Sequence, residues 1–560
     1  MSAEPGDAIL SLMKNQLALV VKILFVAIGF CALFSRLWAC EDAYITFRYV
    51  QNWTNGNGLV YNLGDKVEGF THPLWLFLIA IPSFLGLDVR ASALILSLLI
   101  SIAGLLLIIF RDRGEDEQPL IFPFAALLLI THTGYRDFSV SGLEFPLVVL
   151  LMGWFFISYK NHDLLAKPML HGSLLAALYL TRPELVLLIP VFYVVYGIRA
   201  LRATVKKRTG AARQQWIGLG KLSLPIVLIA GGYHLFRWAY YGELFPNTYY
   251  AKQGLGAYWS QGWVYFDHFW RYSPVLLVAV TASVAMILFT GRLRRLYLTS
   301  QPRVVMLIQS CVLTLYVIRL GGDFMAYRFL LPPMLIVVIL LNDLPDRLFR
   351  GSKTRVAFAT GGLIATVLLV AFPFGAPKRV VHIADERQYY DLYHPPYRAL
   401  FEDPVEHVWW KKGTGLRGLR DAIDYRVVYA ATNIGYLGYA AGPGVYILDI
   451  YGLVDKQTAR AWHVPLKRGR PGHEHKLTMD MAIARGATFL RTPFGEWEKA
   501  MSTGFGSIVT LDPKFLRHVP DKVEALKKLK EAGRSGAITD GSYQFLLELE
   551  KRYNVNVDNL

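Results

Sequence analysis

The sequence predicts a polytopic α-helical membrane protein with a soluble α/β domain at its C-terminal end, and three observations carry that prediction. Of 560 residues, 54% are hydrophobic and only 18% charged, with a mean hydropathy of +0.34, which excludes a fully soluble enzyme. The apolar residues fall in runs that approach the ~20 residues needed to cross a bilayer. The basic excess, 59 Lys and Arg against 42 Asp and Glu, collects in short loops between those runs, where membrane topology accounts for it and nucleic acid need not be invoked. Cys31, Cys40 and Cys311 all lie in or beside apolar runs, so neither a disulfide scaffold nor a cysteine-rich metal site is available.

Taken in order, the run 17–38 is too long for a signal peptide and lacks a small-residue cleavage site, so it reads as a retained anchor. Further spans are expected at 91–110, 119–131, 145–159, 169–180, 185–198, 222–241, 273–290, 304–320, 329–341 and 356–374, making eleven. Segment 73–87 stands apart. It has fifteen residues and contains Pro73 and Pro82, which suits a re-entrant or interfacial helix; a short tilted span is the competing reading.

Charge decides the sidedness. The loop 199–221 carries Arg199, Arg202, Lys206, Lys207, Arg208, Arg213 and Lys221 with no acid, and Arg292, Arg294, Arg295 and Arg303 recur in a later loop. Both loops belong on the cytoplasmic side by the positive-inside rule. Counting back through single crossings, the N-terminus lies inside only if 73–87 does not cross. The outer face then holds 39–87, 133–144, 181–184, 241–272, 321–328 and everything after 374. The expected domains are therefore a transmembrane part, 1–375, and an outer α/β part, 376–560. In the latter, strand-like runs at 426–431, 444–450, 487–490 and 507–511 alternate with helical runs at 479–485 and 521–532.

The richest stretch for chemistry is the pair Glu41 and Asp42, immediately after the first span. Carboxylates beside the headgroup layer lose hydration and gain proton affinity, which suits a base that must take a proton from a hydroxyl. An acidic pair that merely marks the end of a span is the plainer reading. His72 precedes a proline, which holds it out of the helical region and lets it present its ring at the mouth of a cavity.

The run EDAYITFRYVQNWTNGNGLVYNLGDKVEGFTHPLW, residues 41–75, resembles the first outer loop of polyprenyl-phosphate-dependent glycosyltransferases of the GT-C superfamily. It is most similar to the bacterial arabinofuranosyltransferases that cap arabinogalactan. Supporting fragments are Ser141-Gly142-Leu143-Glu144, Thr181-Arg182-Pro183-Glu184, 245–252 and 321–328, with a weaker echo at Asp449, Gly452, Leu453 and Asp455. The family carries an Asp-Asp pair where this chain has Glu41-Asp42.

The resemblance implies a GT-C fold and an inverting transfer of arabinofuranose from a polyprenyl phosphate to an extracytoplasmic glycan or glycoprotein. It places the protein in a bacterial inner membrane with its active site on the periplasmic side. It makes Asp42 the catalytic carboxylate, with Glu41 beside it. The leaving phosphate calls for cations on the outer side, for which Lys252, Arg328 and Arg182 are the candidates; snorkelling at span ends is the alternative for each. His72, Glu144, Asp323, Asn247 and Tyr249 are candidates for substrate contact; Asp137, Glu144 and Asp323 either contact sugar hydroxyls or fix those cations, with ordinary loop solvation as the plain alternative. Tyr249 belongs to an aromatic-rich loop that reads either as an interfacial belt or as a sugar-stacking surface. No spacing marks a dedicated cation site; Glu41, Asp42 and His72 are the candidate donors for a divalent ion, which some superfamily members employ and others do not. Mannose is the alternative sugar, and a lipid or solute transporter the alternative class, although neither repeats nor a broken helix pair is visible.

Overall fold

The computed structural model describes residues 5–112, 122–252, 257–349, 352–372, 379–380, 382–390, 396–461, 477–490, 502–503, 506–536 and 542–560. The chain forms two compact units, each assembled from separate stretches. One comprises Met1–Cys40, Thr71–Ala239 and Gly256–Phe401, the other Glu41–Phe70, Tyr240–Leu255 and Glu402–Leu560. The boundary expected at 375 lies outside the described residues.

The first unit is helical. Among the described residues five helices are long and apolar enough to cross a membrane: Gln16–Phe34, Val89–Arg111, Pro183–Val205, Thr209–Tyr241 and Gln301–Leu320. A sixth arises if Trp259–Arg271 and Pro274–Phe289, bent by 91° at their junction, count as one span. At 1.5 Å per residue even a 19-residue helix reaches ~28 Å, close to the ~30 Å of the hydrocarbon core. The protein is thus a helical membrane protein. Helix Pro73–Phe84 has 12 residues and reaches only ~18 Å.

Several expected runs become short helices. Phe124–Thr131 and Leu331–Leu341 have 8 and 11 residues and are buried on nearly every side, as helices that are apolar all round must be. Residues 119–121 and 373–374 of the expected spans lie outside the described residues. The basic loop expected at 199–221 is largely helical instead. Helix Leu188–Val205 ends in a turn at 206–208, and a helix restarts at Thr209. Ala, Arg, Gln and Lys dominate that stretch, and all are strong helix formers.

Close packing sets the position of Glu144. Helices Val89–Arg111 and Phe145–Asn161 meet at Gly104, where an added Cβ would stand 3.0 Å from Val149 Cγ1; a small residue lets two backbones approach in a bilayer. Glu144 is the residue preceding helix Phe145–Asn161. The turn that carries Arg328 is pinned by the strand Ile383–Ala384: the Ala326 amide donates to the Ala384 carbonyl at 2.8 Å, and the Ala384 amide donates to the Phe324 carbonyl at 2.8 Å.

The second unit contains a five-stranded sheet in the order Tyr446–Asp449, Val428–Ala431, Phe489–Leu490, Gly506–Ile508, Ser502–Thr503. The first three strands run parallel and the last two pairings are antiparallel. Helix Ala43–Thr54, from the first outer loop, packs on helix Gly435–Ala441, which in turn packs on Val408–Ala422. Residues 41–70 and 240–255 therefore fold with 402–560, whereas the sequence assigned them to the transmembrane part.

Candidate active site

In the second unit, the acidic pair opens helix Ala43–Thr54, nine of whose 12 residues are buried. Its two carboxylates differ sharply. Glu41 is buried, and its Oε1 accepts hydrogen bonds from the backbone amides of Gly435 at 2.7 Å and Tyr436 at 3.3 Å. Burial, and then the neighbouring Asp42, push its carboxyl up to about 8, against the two amide bonds that pull it down. Asp42 is half-buried, and its side chain makes no capping bond to its own helix. Of the two residues, Asp42 is the more exposed.

A frame of buried polar bonds holds this pair in place. Arg48 is 1% exposed; it lies over the Tyr61 ring and donates to the carbonyls of Tyr61, Gly438 and Val445. The Tyr61 hydroxyl donates to the Ile434 carbonyl at 2.6 Å. Asn62 mimics a strand edge: its side chain donates to the Ile447 carbonyl at 2.8 Å and accepts from the Ile447 amide at 3.0 Å. Asp449 sits at the end of strand Tyr446–Asp449 and accepts from the amides of Tyr451, Leu453 and Val454. Burial pushes its carboxyl up to about 7 despite those bonds.

In the first unit, Glu144 is a hub. Its Oε1 lies 3.4 Å from both Arg182 and Arg328, and its Oε2 lies 3.6 Å from His72 Nδ1. Burial alone would raise the Glu144 carboxyl, but Arg328, His72 and Arg182 outweigh it and hold it down at about 2. His72 is pushed down to about 4, chiefly by burial, with both arginines adding to the effect and Glu144 opposing it; it is neutral at pH 7. Arg182 also pairs with Glu184 and lies over the Phe329 ring. Arg328 follows Tyr327, a non-glycine residue at φ 70°, a left-handed conformation that costs roughly 1–2 kcal/mol. The Tyr327 side chain packs closely on Gly134, where an added Cβ would stand 2.5 Å from it.

The remaining candidates separate. Lys252 belongs to the second unit and is exposed, whereas Arg182 and Arg328 share Glu144 in the first. Asn247 is buried and locks a turn, donating to the Gly452 and Leu453 carbonyls at 2.7 and 3.1 Å. Tyr249 is 45% exposed, and its ring lies tilted against that of Phe245 at 4.6 Å between centroids. Asp323 is buried in the first unit, accepting from the Phe324 amide at 2.8 Å. Asp137 pairs with Arg36 and accepts from Trp38 through its backbone carbonyl. Among the described residues no group of three or more His, Cys, Asp or Glu is arranged to hold a metal ion. Of the three expected donors, Glu41 gives one oxygen to backbone amides. Arg48, Asn62 and Gly435 were not singled out from the sequence. The one available signal was an arginine inside an otherwise apolar and aromatic helical stretch.

No family model matches the chain. It is 28% identical over 533 residues to a terminal beta-(1->2)-arabinofuranosyltransferase from Mycobacterium tuberculosis, covering 80% of this chain and 83% of that one. It is 26% identical over 543 residues to a protein of the same name from Corynebacterium glutamicum, covering 82% and 76%. Among solved structures, ArnT from Cupriavidus metallidurans in the apo state gives a TM-score of 0.47 at 14% identity, covering 80% and 87%. The helices define the class, a polytopic helical membrane protein. Within that class, the chain is similar to terminal arabinofuranosyltransferases over four-fifths of its length, as the resemblance of its first outer loop led one to expect.

Proposed function

We propose that this protein is a membrane glycosyltransferase that moves arabinofuranose from a polyprenyl phosphate to an extracytoplasmic glycan or glycoprotein. The single observation that carries the reading is the similarity to two arabinofuranosyltransferases along most of the chain, spanning residues of both units. In the proposed step, Asp42 takes the proton of an acceptor hydroxyl as that oxygen bonds to the anomeric carbon. The bond from that carbon to the phosphate oxygen breaks, and its electron pair leaves with the phosphate. A phosphate monoester is a good leaving group, so one base suffices and no general acid is required. Arg328 and Arg182 are suited to bidentate phosphate contact and Lys252 to a point-charge contact. Glu144 fits a role in fixing the two arginines better than one in touching sugar.

The proposal extends to topology: eleven crossings, a bacterial inner membrane, and 402–560 on the periplasmic side with 41–70. Purified protein incubated with synthetic polyprenyl-phosphate arabinofuranose, and separately with the mannose analogue, tests the substrate. Release of polyprenyl phosphate from the arabinofuranose donor is expected; release from the mannose donor alone would overturn the assignment.

A further inference from the structure

Two glycines one helical turn apart, Gly435 and Gly438, face the stretch 41–62. A Cβ on Gly435 would fall 1.9 Å from the Glu41 carbonyl oxygen, and one on Gly438 would fall 1.8 Å from the Tyr61 hydroxyl. Only glycine permits the backbone of Gly435–Ala441 to come this close. That approach lets the Gly435 and Tyr436 amides reach the Glu41 carboxylate. Beyond it, Arg48, Tyr61 and Asn62 bond to carbonyls or amides of residues 434, 438, 445 and 447. Every one of these bonds joins the first outer loop to the C-terminal part of the same unit across more than 370 positions of sequence.

We propose that Glu41 is a positioning residue, fastening its neighbour Asp42 to Gly435 and Tyr436, and that residues 402–560 thereby form part of the transfer machinery. This rests on the reading of Asp42 as the base. A base needs a lone pair open to substrate, and Glu41 is 5% exposed with one oxygen already holding two amides. Asp42 is the next residue, its Cα ~3.8 Å away, so freedom at Glu41 passes directly to the base. A displacement of ~1 Å at a reacting group can cost ~10²-fold in rate.

The test uses the full-length protein in detergent, with Glu41→Gln, Glu41→Ala, Gly435→Ala and Asp42→Asn compared for kcat, donor KM and thermal unfolding. Gln keeps an oxygen for the two amides but cannot serve as a base. Glu41→Gln should therefore retain about a third or more of kcat, whereas Glu41→Ala and Gly435→Ala should lose ~10-fold or more with donor KM within about twofold. Asp42→Asn should lose ~10²-fold or more. Glu41→Gln as inactive as Asp42→Asn would make Glu41 a proton-transfer group and overturn the proposal. So would Glu41→Ala with full kcat per folded molecule, a comparison that decides the matter even if Gly435→Ala does not fold. Wild-type turnover in Asp42→Asn would instead remove the base reading, and with it the residue that Glu41 is proposed to position.

Discussion

Replacing Glu144 by Gln should loosen the cluster it organises and impair use of the donor. Glu144 is 3% exposed by side chain; Arg182 and Arg328, each 3.4 Å away, are 4% and 15% exposed. Two unit charges at that separation interact by ~5 kcal/mol at an effective dielectric constant of ~20. Desolvation offsets much of this attraction, but removing one member of a buried pair typically costs ~3–5 kcal/mol, because the other charge stays buried. Arg182 keeps Glu184, so a loss near ~3 kcal/mol is expected. The effect also has a pH signature. The folded-state pKa of Glu144 lies at about 2, below its ordinary value of 4.5. Its contribution to stability is therefore complete above about pH 4.5 and lost as pH falls toward 2. Thermal unfolding in detergent from pH 7 to pH 3, with donor kinetics at pH 7, measures both effects. Glu144→Gln should melt lower at pH 7 and should lose less stability on acidification than the wild type. Adding Arg328→Met should recover melting temperature without recovering donor use. An unchanged melting temperature and acid profile in Glu144→Gln would refute the hub.

Two further outcomes are expected. Displacement by a single base inverts the anomeric centre, so NMR of the product should show the configuration opposite to that of the donor; retention would require a carboxylate nucleophile and would overturn the one-step mechanism. With Cys31, Cys40 and Cys311 replaced, Lys528→Cys should react with a membrane-impermeant maleimide from outside and Thr209→Cys only after lysis; the reverse pattern would defeat the sidedness drawn from the basic loops.

The sequence by itself determined the membrane character, several long helices and the place of the acidic pair just after the first of them. Apolar run length and charge asymmetry are local properties, and the bilayer acts on each segment almost independently. The runs expected at 426–431 and 444–450 likewise contain strands Val428–Ala431 and Tyr446–Asp449, because a short apolar run between turn residues is a local signal too. Pairing is not local, and only the tertiary structure decided it. Nothing near Glu41 in sequence reveals that its carboxylate meets the amides of Gly435 and Tyr436, and the expectation that Glu144 fixes cations could not say that the cations are Arg182 and Arg328 and not Lys252. The same reason explains why 41–70 was read as an outer loop of the transmembrane part rather than as part of the unit with 402–560. A buried carboxylate must find donors somewhere, but which donors it finds depends on how the whole chain closes on itself.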